Sequence, residues 1–325
     1  MGLLHRKTRS GGVAKPEAAL RKLTLGYVLR RDFTYNKYVY LMAVPVIAFY
    51  IIFHYVPMYG AIIAFKNYSV TRGILQSPWT GFTHFKYFFT SYYFWRVLRN
   101  TILINLYVLI FSFPAPIILA LLLNEIRNMA FKRSVQTISY LPHFISMVVV
   151  CGMIIDFTAR EGLINDMLDL VGLDRIPFMA LPQWFRPVYV LSGIWHGIGW
   201  GSIIYLAAIT GIDPELYQAA EMDGAKRFSK IWHITIPGIM PTVVILFILR
   251  IGGMMSIGVQ KILLLYNPLT YETADVISTF VYRKGLLEMD FSYATAVGLF
   301  QAVMNFILLV LANRISRKVS EMSLW

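Results

Sequence analysis

Residues 213–237 read DPELYQAAEMDGAKRFSKIWHITIP, a long polar run in an otherwise apolar chain. Asp213 can cap a helix that begins at Pro214, because the proline ring presets φ and its missing N–H would have had no partner in the first turn. Gly224 can adopt the left-handed conformation that ends one helix and turns the chain into another, and Pro237 then ends the second helix. The stretch therefore predicts two short helices that are joined at a glycine and held between two membrane spans.

The composition indicates a membrane protein. The chain has 325 residues, of which 57% are hydrophobic and 14% are charged, whereas soluble domains carry about 25% charged residues. The net charge of +13 could indicate a nucleic-acid partner, but membrane electrostatics explains it better, since basic residues gather on the cytoplasmic side of membrane proteins. We therefore expect an all-α integral membrane protein without a nucleic-acid partner.

Six apolar runs are long enough to cross a hydrocarbon core of about 30 Å as transmembrane helices. They lie near residues 38–56, 101–123, 136–157, 187–209, 237–258 and 291–311. The segments before the first span, after the last span, and after the second and fourth spans hold 18 of the 30 lysines and arginines. This excess of basic residues predicts that both termini are cytoplasmic.

This topology divides the chain into three parts. Residues 1–37 form a basic cytoplasmic N-terminal segment, residues 38–311 form the six-span transmembrane domain, and residues 312–325 form a cytoplasmic C-terminal tail. The loop at residues 213–237 lies between spans four and five of the transmembrane domain.

The polar loop contains a pattern with a characteristic spacing. It consists of Gln218-Ala219-Ala220, Gly224 and Ile234-Thr235-Ile236-Pro237. This pattern resembles the EAA loop of bacterial ABC importer permeases, in which Glu-Ala-Ala is followed after three residues by Gly and after nine more by Ile-x-Leu-Pro. Gln218 stands in the place of the family's acidic residue, and Ile236 stands in the place of its leucine.

In that family the EAA loop is a pair of helices that seats in a cleft of the ATPase subunit. The resemblance therefore implies that one set of residues couples this chain to an ATPase. The set is Gln218, Ala219, Ala220, Asp223, Gly224, Ile234 and Pro237. The alternative is an amphipathic helical hairpin that lies on the membrane surface.

Short stretches of sequence outside the loop indicate which subgroup of these permeases the chain resembles. They are residues 57–68, residues 77–82, Tyr266-Asn267-Pro268, residues 271–276 and Val281-Tyr282-Arg283. They look like the oligosaccharide and polysaccharide permeases of the maltose-importer class, particularly the subgroup that imports alginate-type or uronide-type fragments. The resemblance runs from the first span to Lys318.

The resemblance implies a type I ABC importer permease fold in the bacterial inner membrane, with several passes. It also implies that the chain works with a second, homologous permease subunit in a heterodimer, a dimer of ATPase subunits, an extracytoplasmic solute-binding protein, an oligosaccharide or polysaccharide substrate and membrane lipid. Because the chain lacks a Gly-x-x-x-x-Gly-Lys-[Ser/Thr] phosphate loop, ATP and Mg²⁺ are expected only in the partner ATPase. The chain also lacks the common metal and nucleophile motifs, so we expect no catalytic or metal-binding residues and no enzyme activity.

Two other classes of protein remain as alternatives. A polysaccharide exporter permease would share the number of spans, although the loop between spans four and five fits importers better. A membrane-bound sugar-processing enzyme would need acidic catalytic residues on one aqueous face. The nearest candidates are Asp213, Glu215, Glu221 and Asp223, which helix capping and surface solvation explain more simply.

Span four carries aromatic and polar side chains that are candidates for a substrate pathway. Trp195, His196 and Trp200 lie among glycines, and aromatic faces beside a polar ring suit the stacking of a pyranose. A hydrogen-bonded structural histidine is the alternative for His196. The glycines Gly193, Gly197 and Gly201 form a small-residue ridge that predicts close approach of another helix.

Spans five and six add further candidates. Arg250 is costly inside a bilayer, so it should meet a carboxylate, a carbonyl or a wet cavity. Gln301 and Asn305 share one helical face with Ala294 and Gly298. The two amides predict either a translocation wall that binds sugar hydroxyls or hydrogen bonds between helices.

The predicted outer loop, residues 57–100, contains basic residues and no Asp or Glu. The basic residues are Lys66, Arg72, Lys86, Arg96 and Arg99. This bias opposes the usual sidedness and requires an anionic contact from a binding protein, from lipid headgroups or from an acidic saccharide. We hypothesise that the cargo includes uronate-type oligosaccharides.

Overall fold

The computed structural model describes residues 34–320, and this range is helical. The α-helices are, in chain order, α1 (Lys37–Tyr50), α2 (Val56–Met58), α3 (Gly73–Gln76), α4 (Thr83–Thr90), α5 (Tyr93–Tyr107), α6 (Pro114–Glu125), α7 (Met129–Tyr140), α8 (Met147–Thr158), α9 (Leu163–Leu170), α10 (Pro182–Thr210), α11 (Pro214–Met222), α12 (Arg227–Lys230), α13 (Ile236–Gly252), α14 (Val259–Leu265), α15 (Tyr271–Ala274), α16 (Ile277–Tyr282) and α17 (Phe291–Ser320). Short π or 3₁₀ turns occupy Ile51–Tyr55, Tyr59–Phe65, Val108–Ser112, Leu141–Phe144, Ile231–Thr235, Pro268–Thr270 and Arg283–Leu287. Lys66 and Trp79 form an isolated antiparallel bridge.

The chain divides into two compact units, Met1–Gly60 and Ala61–Trp325. In the described part of the first unit, α1, the π turn that follows it and α2 bury none of their side chains. Large apolar side chains exposed in this way are unfavourable in water and suit contact with hydrocarbon or another protein. The predicted segment 1–37 lies almost entirely outside the described residues.

Five helices in the described range are long and apolar enough to cross a membrane. They are Lys37–Phe65, Tyr93–Glu125, Pro182–Thr210, Arg227–Gly252 and Phe291–Lys318. The pair Met129–Phe144 and Met147–Leu170 passes the same test together, although it is bent at its break, and makes six spans if it counts as one. The described range therefore holds five or six candidate spans, against the six predicted from the sequence.

The third span is not the single straight helix that the sequence predicts over residues 136–157, because its two halves meet at 103°. Pro142 has no backbone N–H and its ring clashes with the preceding turn, so α7 ends in a 3₁₀ turn. Ile145 is extended, and Ser146 then begins α8 by accepting a hydrogen bond from the Val149 N–H. The apolar run is continuous in hydropathy but broken in structure.

The fifth span also differs from the prediction of residues 237–258. Its helix ends at Gly252, residues 253–255 form a turn, and residues 256–258 have no regular structure. Gly252, Gly253 and Gly258 have low helix propensity. The unwound stretch therefore starts where the sequence prediction still placed a helix.

The helix α10 is central to the packing of the second unit. Its first half joins a buried apolar cluster with α8 and α14, and its second half joins another with α6 and α13. A third cluster packs α4, α5, α16 and α17 around Phe88 and Phe280. The helix α10 therefore has packing neighbours in both its first and its second half.

The closest approach to α10 occurs at Gly199. A Cβ atom placed on Gly199 would overlap the carbonyl group of Ser139 and lie 2.8 Å from the backbone nitrogen of Tyr140. The sequence prediction of a ridge holds at Gly201, where a Cβ would lie 3.0 Å from the ring of Pro116, but not at Gly197, where no heavy atom lies within 4 Å. The backbone contact between α7 and α10 therefore depends on a glycine outside the predicted ridge.

Candidate functional site

The hairpin at residues 213–237, here called the EAA-like hairpin, begins as the sequence predicts. The carboxylate of Asp213 accepts a hydrogen bond of 2.9 Å from the Glu215 N–H at the first turn of α11. Pro214 occupies the first helical position. Asp213, Glu215 and Asp223 are exposed, and capping accounts for the carboxylate of Asp213.

Gly224 ends α11 in the left-handed conformation, with φ of 76°. The Ala225 N–H donates to the Ala220 carbonyl at 2.8 Å, and the Gly224 N–H donates to the Glu221 carbonyl at 3.0 Å. This pair of bonds is the Schellman motif, which satisfies the last carbonyl groups of a helix. The glycine turn is confirmed, and its geometry is set by local hydrogen bonds.

The second half of the hairpin differs from the prediction of a separate short helix. The helix α12 continues through the π turn Ile231–Thr235 into α13, so Arg227–Gly252 is continuous. Pro237 lies at the start of α13 and does not end the helix. A proline is tolerated there because the wide turn before it changes the hydrogen-bond register.

Two side-chain contacts hold the halves of the hairpin together. The Lys230 ammonium lies 2.6 Å from the Glu221 carboxylate and lowers the pKa of that carboxyl through hydrogen bonding and charge. The hydroxyl groups of Tyr217 and Thr235 lie 3.0 Å apart, and Thr235 is buried. The first helix of the hairpin is therefore bonded to the turn that leads into the fifth span.

Apolar side chains project from this otherwise polar hairpin. Met222 is 89% exposed and Phe228 is 79% exposed, and they flank the glycine turn. Gln218 and Ala219 are exposed, and Ala220 is half-buried. Large exposed apolar side chains with a polar rim are typical of protein contact surfaces.

The predicted aromatic group of span four is divided. The ring of Trp200 stacks on His143 at 4.5 Å with the planes 5° apart, and His196 lies 5.7 Å from His143. The Nε2 atom of His196 is buried and has no hydrogen-bond partner. Trp195 lies elsewhere, on the wall of an apolar cavity of about 430 Å³. The sequence analysis missed His143, which follows Pro142 in the 3₁₀ turn that bends the third span.

Arg250 borders a cavity of the second unit. It lines a cavity of about 510 Å³ beside Gly193, Gly197 and Gly201, and it forms no ion pair with any of residues 34–320. The predicted glycine ridge therefore opens a space beside a positive charge.

The amides of span six contact the unwound stretch that follows α13. Gln301 Nε2 donates to the Met255 carbonyl at 2.7 Å, and Asn305 Oδ1 accepts from the Met255 N–H at 2.7 Å. Asn305 Nδ2 also donates to the Ser256 hydroxyl at 2.7 Å. Both amides therefore bond to another part of the protein, as in the second of the two roles predicted for them. Binding of substrate by these amides stays a prediction.

A buried ionic cluster joins distant parts of the second unit. Asp275 is fully buried and accepts from Arg96 at 3.0 Å and from Arg283 at 2.8 Å. Burial works against the charge of Arg283, but hydrogen bonding and the charge of Asp275 outweigh it and raise the pKa of that guanidinium. Arg96 therefore has an anionic contact within the chain. Lys66, another basic residue of the outer loop, is also buried, and it donates to the Ile74 carbonyl at 2.7 Å.

No group of three or more His, Cys, Asp or Glu side chains in residues 34–320 could hold a metal ion. The acidic residues of the EAA-like hairpin are dispersed over its exposed surface. The described residues therefore offer contact surfaces and cavities.

Comparison with known proteins gives a family and several relatives. Residues 112–321 match the family of binding-protein-dependent transport system inner membrane components. The chain is 46% identical over 287 residues to the polygalacturonan/rhamnogalacturonan transport system permease protein YteP of Bacillus subtilis, covering 88% of this chain and 89% of the relative. It is also 44% identical over 298 residues to protein LplB of the same organism, covering 91% and 92%.

Solved structures with the same fold exist. One is a bacterial ABC transporter involved in the import of the acidic polysaccharide alginate, which matches with a TM-score of 0.84 and 44% identity over 90% of this chain and 99% of that chain. A second is a bacterial alginate ABC transporter in complex with alginate pentasaccharide-bound periplasmic protein, which matches with a TM-score of 0.84 and 43% identity over the same shares.

Proposed function

Because the chain belongs to the family of binding-protein-dependent transport system inner membrane components, we propose that it is the permease subunit of an ABC importer for acidic oligosaccharides or polysaccharide fragments. The chain is a transport component and not an enzyme. An acidic cargo is supported by two similar proteins, since one is described as a polygalacturonan/rhamnogalacturonan permease and the other as part of an alginate importer.

The proposed assembly contains this subunit, a second homologous permease, a pair of ATPase subunits and a solute-binding protein, in the bacterial inner membrane. The similar alginate transporter bound to a periplasmic protein supports the last of these partners. ATP and Mg²⁺ belong to the ATPase in this proposal. The topology keeps both termini and the EAA-like hairpin in the cytoplasm, which agrees with the excess of basic residues on that side.

The proposed mechanism rests on the continuity of the EAA-like hairpin with the fifth span. Met222 and Phe228 offer an apolar surface to the ATPase, and the bond between Tyr217 and Thr235 makes α11 move together with the start of α13. A displacement of the hairpin by the ATPase would then pass directly into the fifth span. ATP binding and hydrolysis would bias the permease between inward and outward access.

We propose that the cargo passes near the stacked rings of Trp200 and His143 and the cavity beside Arg250. Trp200 is exposed and offers an aromatic face on which a sugar ring can stack. Arg250 adds a positive charge that favours an acidic saccharide. Trp195, Gln301 and Asn305 are weaker candidates, because they face an apolar cavity or bond to the protein itself.

Copurification and reconstitution test the proposed function. A tagged subunit should bring down an ATPase and a second permease, and proteoliposomes containing the complex should take up acidic oligosaccharide only with ATP and the binding protein. Export of the same saccharide, or isolation of the subunit without an ATPase, would contradict the proposal.

Phe228→Asp is expected to reduce copurification of the ATPase by about tenfold or more, because an aromatic anchor at an interface contributes about 2 kcal/mol or more. The measurement is the ratio of ATPase to permease after affinity purification. Lys226→Asp, which also places a carboxylate on an exposed position of the same hairpin and changes the net charge by two units instead of one, is the control and should retain most of the ATPase. Equal losses in both variants would mean that charge, and not the apolar contact, determines docking.

Gly224→Val is expected to uncouple ATP hydrolysis from uptake. The residue has φ of 76°, and a β-branched side chain in such a conformation costs about 1–3 kcal/mol, which displaces α12 relative to α11. Uptake and ATPase rate should be measured on the same preparation. Gly224→Asn is the matched control, since asparagine tolerates this conformation, and its uptake should stay close to that of the wild type. Similar defects in the two variants would argue against backbone conformation as the cause.

A further inference from the structure

A cavity of about 700 Å³ lies where α10 begins, beside the turn that follows α5. Its polar lining is Gln183, Arg186, Glu272 and Thr273, and its aromatic lining is Tyr107 and Phe111. The two rings are 6.3 Å apart with their planes 15° from parallel, so they form one continuous wall. The volume falls within the range of about 300–1,000 Å³ that is typical of small-ligand sites.

Arg186 is the cationic group of this cavity, and it shares the lining with one carboxylate, that of Glu272. Its Nη2 atom donates to Asn100 Oδ1 at 2.9 Å, which is a neutral acceptor. Its Nε atom is buried without a hydrogen-bond partner. No carboxylate among residues 34–320 forms an ion pair with it, whereas Arg96 and Arg283 share Asp275. A guanidinium in a partly dry site binds a carboxylate strongly when one is supplied.

Asn100 positions Arg186. Asn100 is fully buried, and its Nδ2 atom donates to the carbonyls of Glu272 at 2.8 Å and Asp275 at 3.0 Å. Both amide hydrogens are therefore used, and the amide oxygen can face only the arginine. The guanidinium is thus oriented before any ligand arrives, which lowers the entropic cost of binding.

We propose that Arg186 binds the carboxylate of an acidic sugar residue in this cavity, with the sugar ring against the wall of Tyr107 and Phe111. In the proposed topology the cavity opens toward the outer side, because α10 begins there, so it receives cargo before the rings of Trp200 and His143 do. This inference rests on the proposed function. It adds a specificity-determining residue and the sugar chemistry that the residue selects.

The test uses the complete transporter in nanodiscs and fluorescently labelled trigalacturonate. Titration in the absence of binding protein measures the affinity of the transporter itself. Arg186→Gln is expected to raise the Kd by about tenfold, as loss of one charged hydrogen bond predicts, while Arg186→Lys keeps the charge and loses less. The neutral methyl ester of trigalacturonate should bind the wild type and Arg186→Gln equally.

Glu272→Gln is an independent variant for which the expected change in Kd is opposite to that of Arg186→Gln. Its side chain lines the same cavity and repels a carboxylate, so the Kd is expected to fall by about twofold. Arg175→Gln is the control, because this outer arginine is already paired with Asp166 and Asp169 on the surface. Two results would overturn the inference, provided that the variants fold normally. One is an unchanged Kd for trigalacturonate in Arg186→Gln, and the other is an equal loss of affinity for the neutral ester in that variant.

Other occupants of the cavity give distinct results. If the effect of Arg186→Gln disappears when phosphatidylglycerol is replaced by phosphatidylcholine, the site holds a lipid phosphate and the inference is wrong. If Arg186→Gln releases the second permease during purification, the site holds a carboxylate of that subunit and the inference is also wrong. If the wild type neither binds nor imports any acidic oligosaccharide but imports neutral ones, the acidic cargo of the proposed function fails together with the inference.

Discussion

Replacing Gly199 with alanine is expected to destabilise the subunit by about 3 kcal/mol, since overpacking typically costs about 1–3 kcal/mol and here the clash is with backbone. The added Cβ would overlap the Ser139 carbonyl, and no flexible side chain can move to make room. The helices α7 and α10 would have to separate, which would also disturb the stack of His143 on Trp200. A larger residue such as valine is expected to prevent accumulation of the folded subunit.

Thermal unfolding in detergent, followed by size-exclusion fluorescence, measures this effect. Gly197→Ala is the matched control on the same helix, because a Cβ at that position meets no heavy atom within 4 Å. The control should melt within a few degrees of the wild type. If Gly199→Ala and Gly197→Ala melt together, α7 and α10 do not make the backbone contact described above.

Asp275→Asn is the second substitution with a large expected effect. It leaves Arg96 and Arg283 facing each other without a counter-charge, and breaking a buried ion pair in this way costs about 3–5 kcal/mol. The loss should appear as a lower melting temperature and weaker accumulation in the membrane. Removing one of the arginines as well, in Asp275→Asn with Arg283→Gln, should restore part of the stability because the repulsion is then removed.

Asp169→Asn is the comparison for Asp275→Asn. Asp169 also pairs with an arginine, Arg175, but Asp169 is exposed and Arg175 is only half-buried, and pairs at the surface contribute about 0–1 kcal/mol. Its melting temperature should stay near that of the wild type. A loss at Asp169 as large as that at Asp275 would show that burial is not what makes the inner cluster important.

Local signals explain which parts of the fold the sequence could predict. The Asp213 cap and the Gly224 turn depend on hydrogen bonds between residues close in sequence, and both were predicted correctly. The stop at Pro237 was predicted wrongly, because a π turn can absorb a proline that would otherwise end a helix. The bend at Pro142 was missed for a related reason, since hydropathy is continuous across it.

Contacts between distant residues could not be predicted from local patterns. Asp275 lies in one of the strings that carry the family resemblance, yet nothing near it indicates that Arg96 is its partner. Arg186 was not selected as a candidate, because a basic residue near the end of a span normally reaches the headgroups. Only the cavity and the buried Nε atom distinguish it from such a residue.

The unbroken helix from Arg227 to Gly252 has a consequence for how the chain can change in length. Each residue added to or removed from an α-helix rotates everything beyond it by about 100°. An insertion between Phe228 and Pro237 would therefore rotate Met222 and Phe228 around the axis of the fifth span, even if every side chain stayed the same. The number of residues in this segment therefore fixes the direction in which Met222 and Phe228 face relative to the fifth span.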